Sequence, residues 1–132
     1  MNIKRILEQM KKTGKKAISE NESKQLLKEY GIPVVSEIVA LNIDEAVKAA
    51  KKIGFPVVLK GMGANLLHKT DRGLVHLNLS DVNSVENAAE EIAAQATDEL
   101  EGYLIQPHLK GRREFVAGLF QDHQFGPVIM FG

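Results

Sequence analysis

Residues 57–73 read VVLKGMGANLLHKTDRG. A β-branched run ends on Lys60, two glycines follow at 61 and 63, and the next ten residues include His68, Lys69, Thr70, Asp71 and Arg72. An ammonium at a strand end can meet a phosphate as a point charge. Glycines just beyond it let backbone N–H groups approach anionic oxygens. Neither G-x-G-x-x-G nor G-x-x-x-x-G-K-[ST] is matched, so residue chemistry alone leaves a phosphate loop and a plain solvent turn both open. His68 could be a surface or cap histidine. With Asp71 orienting its ring it could instead be a nucleophile toward phosphorus. No ligand spacing for a metal accompanies it, so no metal-binding residue is assigned.

Around this stretch the chain alternates helix and strand. Ile3, Ile6, Leu7 and Met10 recur at helical spacing over 2–13, and Gly14 ends that helix. The same segment carries Lys4, Arg5, Lys11, Lys12, Lys15 and Lys16. The choices are a nucleic-acid arm or a solvated helix face, and the absence of interleaved aromatics favours the face. Ser19 and Glu22 form an S-x-x-E capping box. Leu26, Leu27 and Tyr30 share one side of the helix that follows, which Gly31 closes. IPVVSEIVAL predicts a strand, with Pro33 at its start or on an edge. Asn42 or Asp44 caps a third helix ending at Gly54, and FPVVLKG is a short strand. GLVHLNLS alternates Leu74, His76 and Asn78 with Val75, Leu77 and Leu79, as a half-buried strand does.

Asp81 or Asn83 caps a longer helix over about 84–99, with Val85, Ala88, Ala89, Ile92 and Ala96 as its buried stripe. YLIQPHL is a strand. GRREFVAGLFQD and HQFGPVIMFG are two more, turning near Asp122.

Composition bounds the possibilities. The 132 residues are 44% hydrophobic and 26% charged, a globular balance sized for one ordinary domain. Aromatics are 5% and Trp is absent, so the core must be aliphatic. Seventeen basic and seventeen acidic residues cancel, which favours neither nucleic acid nor an anionic membrane as partner. With no cysteine there is no disulfide, thiolate metal site or cysteine nucleophile. No apolar run approaches the ~20 residues of a membrane span, and the charged N-terminus is not a secretory signal. A cytoplasmic location is the expectation. The sequence ends on PVIMFG, an apolar strand, so the expectation is a piece of a larger protein or a strand that pairs with another chain, as in an oligomer.

Four blocks, GFPVVLK, HKTDRG, LIQPHLKGRREFVAG and FGPVIMFG, occur in an order that closely resembles the ATP-grasp domain of ADP-forming acyl-CoA synthetases, in particular the β-subunit of ADP-forming acetate–CoA ligase. The resemblance spans about residues 18–132. It implies an α+β ATP-grasp fold: an N-terminal helix over 1–17, the N-terminal subdomain over 18–100, and the start of a strand-rich second subdomain over 101–132. It also implies roles. Lys60 would contact the nucleotide phosphates, and Gly61 and Gly63 would belong to a mobile loop folding over them. His68 would accept a phosphoryl group. Gln106, Pro107, His108 and Leu109 would face the adenine, and Glu114 would hold the ribose hydroxyls.

The implied ligands are ATP or ADP. The implied partners are a CoA-binding α-subunit or domain and the remainder of the ATP-grasp domain. Mg²⁺ is implied for the full enzyme, with its ligands outside these residues, so the chain alone is expected to be inactive. Leu74 stands where the family usually has a second glycine after the histidine block, which stiffens that loop. Two alternatives remain: a β-subunit fragment of another ATP-grasp ligase such as succinate–CoA ligase, or a non-catalytic module that binds nucleotide or a protein partner.

Overall fold

The computed structural model describes residues 3–63, 66, 73–97, 99–111 and 113–132. In chain order these form α1 (Ile3–Thr13), α2 (Glu20–Glu29), β1 (Ile38–Ala40), α3 (Ile43–Ile53), β2 (Val57–Met62), β3 (Val75–Leu79), α4 (Val82–Gln95), β4 (Gly102–Pro107), β5 (Ala117–Asp122) and β6 (Gly126–Phe131). A four-stranded antiparallel sheet runs β1-β4-β2-β3, and β5 pairs with β6 in a separate hairpin. This is the α+β architecture expected.

Helix ends fall where local chemistry requires. The Ser19 hydroxyl accepts the Glu22 N–H at 3.3 Å while the Glu22 carboxylate accepts the Ser19 N–H at 2.9 Å, satisfying two donors that a helix start leaves free. Of the alternative caps, Asn42 starts α3 and Asp81 starts α4. Gly14, Gly31 and Gly54 all have positive φ just past helix ends, a conformation that costs glycine little.

The two faces of the sheet are unlike. Val57, Leu59, Tyr103 and Ile105 point toward α3 and α4 and pack on Ala46, Ala49, Ala50, Val85, Ala88, Ala89 and Ile92. The alanines let both helices lie close to the strands, and the expected α4 stripe is buried throughout. The Tyr103 hydroxyl reaches the Ala89 carbonyl at 3.1 Å, so its polar end is satisfied inside this layer. Residues of opposite parity, Val58, Lys60, Leu104 and Gln106, lie on the other face, toward α2.

Several elements differ from expectation. The strand predicted over IPVVSEIVAL is confined to Ile38–Ala40. Pro33 has no N–H to give a ladder. The Ile32 N–H is spent on the Leu27 carbonyl, and the Glu37 carboxylate is drawn to α2, so 31–37 runs as a strap beside that helix. The face of Leu26, Leu27 and Tyr30 is not a buried one: α2 has no fully buried residue, and Leu27 and Tyr30 are exposed. Its inward side is polar.

Strand β3 does not keep simple alternation either. Val57 pairs with Leu79 but Leu59 pairs with His76, so β3 carries one extra residue, with Asn78 at φ 53. That bulge reverses the parity and lets Leu74 and Leu79 both be buried. Helix α4 stops at Gln95, earlier than predicted, where the N–H groups of Glu99 and Leu100 fold back on the Ala96 carbonyl. GRREFV is mostly not strand, since β5 begins at Ala117.

The β5–β6 hairpin turns as expected at Asp122, whose carboxylate accepts the Phe125 and Gln124 N–H groups and is held below its usual range by them. It leaves Leu119, Ile129 and Phe131 largely exposed.

Candidate functional site

On the α2 face of the sheet, Lys60 of β2 and Gln106 of β4 meet a common acceptor. Glu20, the first residue of α2, takes the Lys60 ammonium on Oε1 at 2.8 Å and the Gln106 amide on the same oxygen at 3.1 Å. Lys24, one turn along α2, reaches that oxygen at 3.0 Å and Glu37 Oε2 at 2.8 Å. Gln106 Nε2 also donates to Glu37 Oε2 at 2.8 Å, and Asn21 donates to Glu37 Oε1 at 2.9 Å. Two ammonium groups and two carboxylates therefore interlock α2, the strap and two neighbouring strands.

Gln106 is buried, and both of its amide hydrogens face carboxylates, which fixes its orientation. Burial alone would raise the Glu20 carboxyl. The Lys60 and Lys24 hydrogen bonds, the Lys60 charge and the Gln106 amide outweigh that and hold it far below the usual carboxylate range. Burial likewise opposes the charge on Lys24, but Glu37 and Glu20 overcome it and raise its pKa. An open groove of about 600 Å³ adjoins it between Asn21, Lys24 and Gln25 of α2 and the strap 31–37.

The remaining candidates are placed as follows. Gly61 is a strand residue whose N–H donates to the Leu74 carbonyl at 2.8 Å, and a Cβ there would meet Ile92 Cγ2 at 3.1 Å. A Cβ on Gly63 would lie 2.3 Å from the Glu99 carbonyl oxygen. Close packing against backbone therefore already demands glycine at 63, whereas a methyl at 61 would need the Ile92 side chain to give by a few tenths of an ångström. Pro107 ends β4 opposite Val57. The His108 N–H bonds the Pro56 carbonyl at 3.1 Å, and its buried ring Nδ1 finds no hydrogen-bond partner among the described residues. Leu109 and Glu114 are exposed on the segment between β4 and β5. His68, with Asp71, lies outside the described residues. Among those that are described, no three His, Cys, Asp or Glu side chains cluster as a metal site would need.

The structure thus joins Lys60 to Gln106 through residues that sequence reasoning missed: Glu20, Lys24 and Glu37. Glu20 and Lys24 stand four apart in ENESK, which marks a helical ion pair. Nothing local marks their link to a lysine forty residues away.

Comparison with known proteins agrees with this architecture. The ATP-grasp domain family matches residues 9–132. The chain belongs to that family. The β-subunit of ADP-forming acetate–CoA ligase II of Pyrococcus furiosus is 42% identical over 133 aligned positions, covering 97% of this chain and 56% of the relative. The acetyl-coenzyme A synthetase 1 of Ca. Korarchaeum cryptofilum, solved with coenzyme A and Ca-AMPCP, superposes with a TM-score of 0.92 at 38% identity, over 99% of this chain and 59% of that one. A second structure of that synthetase holds coenzyme A and Mg-AMPPCP, its phosphohistidine segment pointing towards the nucleotide site. It superposes with a TM-score of 0.75 at 37% identity, over 96% and 54% of the two chains. This ATP-grasp chain spans little more than half the length of these relatives.

Proposed function

We propose that this ATP-grasp chain is the nucleotide-binding part of an ADP-forming acyl-CoA synthetase, which interconverts acid, CoA and ATP with acyl-CoA, ADP and phosphate. The observation that supports it most directly is the shared sheet face of Lys60 and Gln106, one bearing a cation and the other ending in the segment 106–109. A nucleotide laid along that face would have phosphates at Lys60, adenine against Gln106, Pro107, His108 and Leu109, and ribose hydroxyls on Glu114, with Gly61 and Gly63 at the root of the loop over the phosphates.

His68 is the proposed phosphoryl carrier. In the direction of ATP formation, an imidazole nitrogen attacks the phosphorus of an acyl phosphate, the P–O bond to the acyl group breaks, and the carboxylate leaves. An ADP β-phosphate oxygen then attacks the phosphohistidine. The P–N bond breaks, ATP forms and neutral imidazole returns. Lys60 would offset charge on the phosphates during transfer. Mg²⁺ would share that task in the full enzyme.

A CoA-binding subunit or domain and the remainder of the ATP-grasp domain complete the catalyst. The exposed Leu119, Ile129 and Phe131 of the hairpin suit an apolar cover supplied by that remainder. No helix among the described residues is long and apolar enough to cross a membrane, and the cytoplasm, which holds ATP and CoA, is the proposed location. Isothermal titration with Mg·ADP tests the nucleotide assignment: saturable heat with the native chain, lost in Lys60→Met, is expected. No heat at millimolar ADP would overturn it.

A further inference from the structure

We propose that Glu20 is a positioning residue that holds the Lys60 ammonium where a nucleotide phosphate can meet it. This deepens the function proposed above and rests on it. Among the described residues Glu20 is the one polar partner of Lys60, at 2.8 Å. A lysine side chain with one anchored N–H keeps two donors for a ligand, and anchoring restricts the rotamers that binding would otherwise have to freeze. Protein kinases use the same logic, with a strand lysine held for phosphate contact by a helix glutamate.

The anchor is itself fixed. Glu20 sits in the first turn of a helix whose start is closed by the Ser19–Glu22 box, where the helix dipole favours a carboxylate. Lys24 restrains it from the next turn. It stays ionised because hydrogen bonds from Lys60, Lys24 and Gln106 outweigh its burial.

Glu20 also touches Gln106, but Gln106 keeps a second carboxylate, Glu37, at 2.8 Å. Removing the Glu20 charge therefore releases Lys60 while Gln106 stays tethered. That asymmetry separates phosphate binding from base binding.

The experiment is titration calorimetry of the 132-residue chain with Mg·ADP and, separately, adenosine, on native protein, Glu20→Gln, Lys60→Met and the double variant. Expected is a loss of about tenfold in ADP affinity for Glu20→Gln, a change under about twofold for adenosine, and a double variant no weaker than Lys60→Met alone. A purely structural glutamate would weaken both ligands alike. ADP affinity unchanged or improved in Glu20→Gln, or additive losses in the double variant, overturns the inference and leaves nucleotide binding standing. Native protein that binds neither ligand overturns both. Should Glu20→Gln fail to fold, ¹⁵N-lysine spectra of the native chain decide. The Lys60 ammonium signal must be protected from exchange and must move with ADP but not adenosine; a Lys60 signal indifferent to ADP refutes the assignment.

Discussion

Replacing Gly63 by alanine separates a packing requirement from a requirement for loop mobility. The added methyl would sit 2.3 Å from the Glu99 carbonyl oxygen and 3.0 Å from Leu66 Cγ. Normal C···O contact is longer by about 1 Å. Neither side of the clash can retreat freely. On one side, the Met62 carbonyl accepts the Glu101 N–H at 2.8 Å. On the other, the N–H groups of Glu99 and Leu100 are tied to Ala96 at 3.2 and 3.0 Å. Relief must shift backbone on the β2 or α4 side, at a cost of about 2–3 kcal/mol by analogy with overpacked cores. For a chain of this size that is a melting temperature lower by about 8–12 °C. Thermal unfolding followed by circular dichroism measures it. Gly111→Ala is the control, since its methyl meets nothing closer than 3.8 Å, and a change within about 0.5 kcal/mol is expected. A Gly63→Ala melting temperature within 2 °C of native, taking that as roughly a half-kcal/mol threshold, would refute the packing explanation.

Other outcomes follow from single contacts. Ser19→Ala removes the acceptor for the Glu22 N–H and should cost about 1 kcal/mol, read as a lower urea midpoint at unchanged slope. Tyr103→Phe leaves the Ala89 carbonyl without its 3.1 Å donor, and about 1 kcal/mol should be lost in the same assay; a neutral result would mean that the bond carries no net stability. Acid should expose the Glu20 network. Its folded-state pKa lies below the unfolded value near 4.5, so its contribution is complete above about pH 4.5 and disappears as pH falls toward the folded value. The stability gap between native protein and Glu20→Gln should be constant from pH 8 to 6 and narrow below pH 4.5. A gap that widens in acid would reverse the assigned sign.

Local chemistry made much of the fold legible. The Ser19–Glu22 box, the Asn42 and Asp81 caps and the helix-ending glycines involve groups within a few residues of one another, so their spacing carries the structure. The α4 stripe was legible because a single apolar layer dictates it. The strap at 31–37 was not, because β-branched residues satisfy strand propensity whether or not a neighbour is present. Nor was the polar inner face of α2, which inverts the usual amphipathic rule. The β3 bulge was hidden because one inserted residue leaves the composition of an alternating run unchanged.

The site divides in the same way. Lys60 was singled out by its place at a strand end and Gln106 through resemblance, but their junction at Glu20 joins residues 40 and 86 positions apart. No window on the sequence contains such a link. Gly63 looks the same in sequence whether a phosphate or a neighbouring backbone requires it, and only the fold shows the second demand, from the Glu99 carbonyl.

The most direct test is to map ADP on the chain by ¹H–¹⁵N spectroscopy. Shifts centred on Lys60 and on residues 106–109, with the Gln106 side-chain amide among them and α1 unchanged, are the expected result. Shifts confined to α1 or to the β5–β6 hairpin, with Lys60 and Gln106 silent at saturating ADP, would contradict the account.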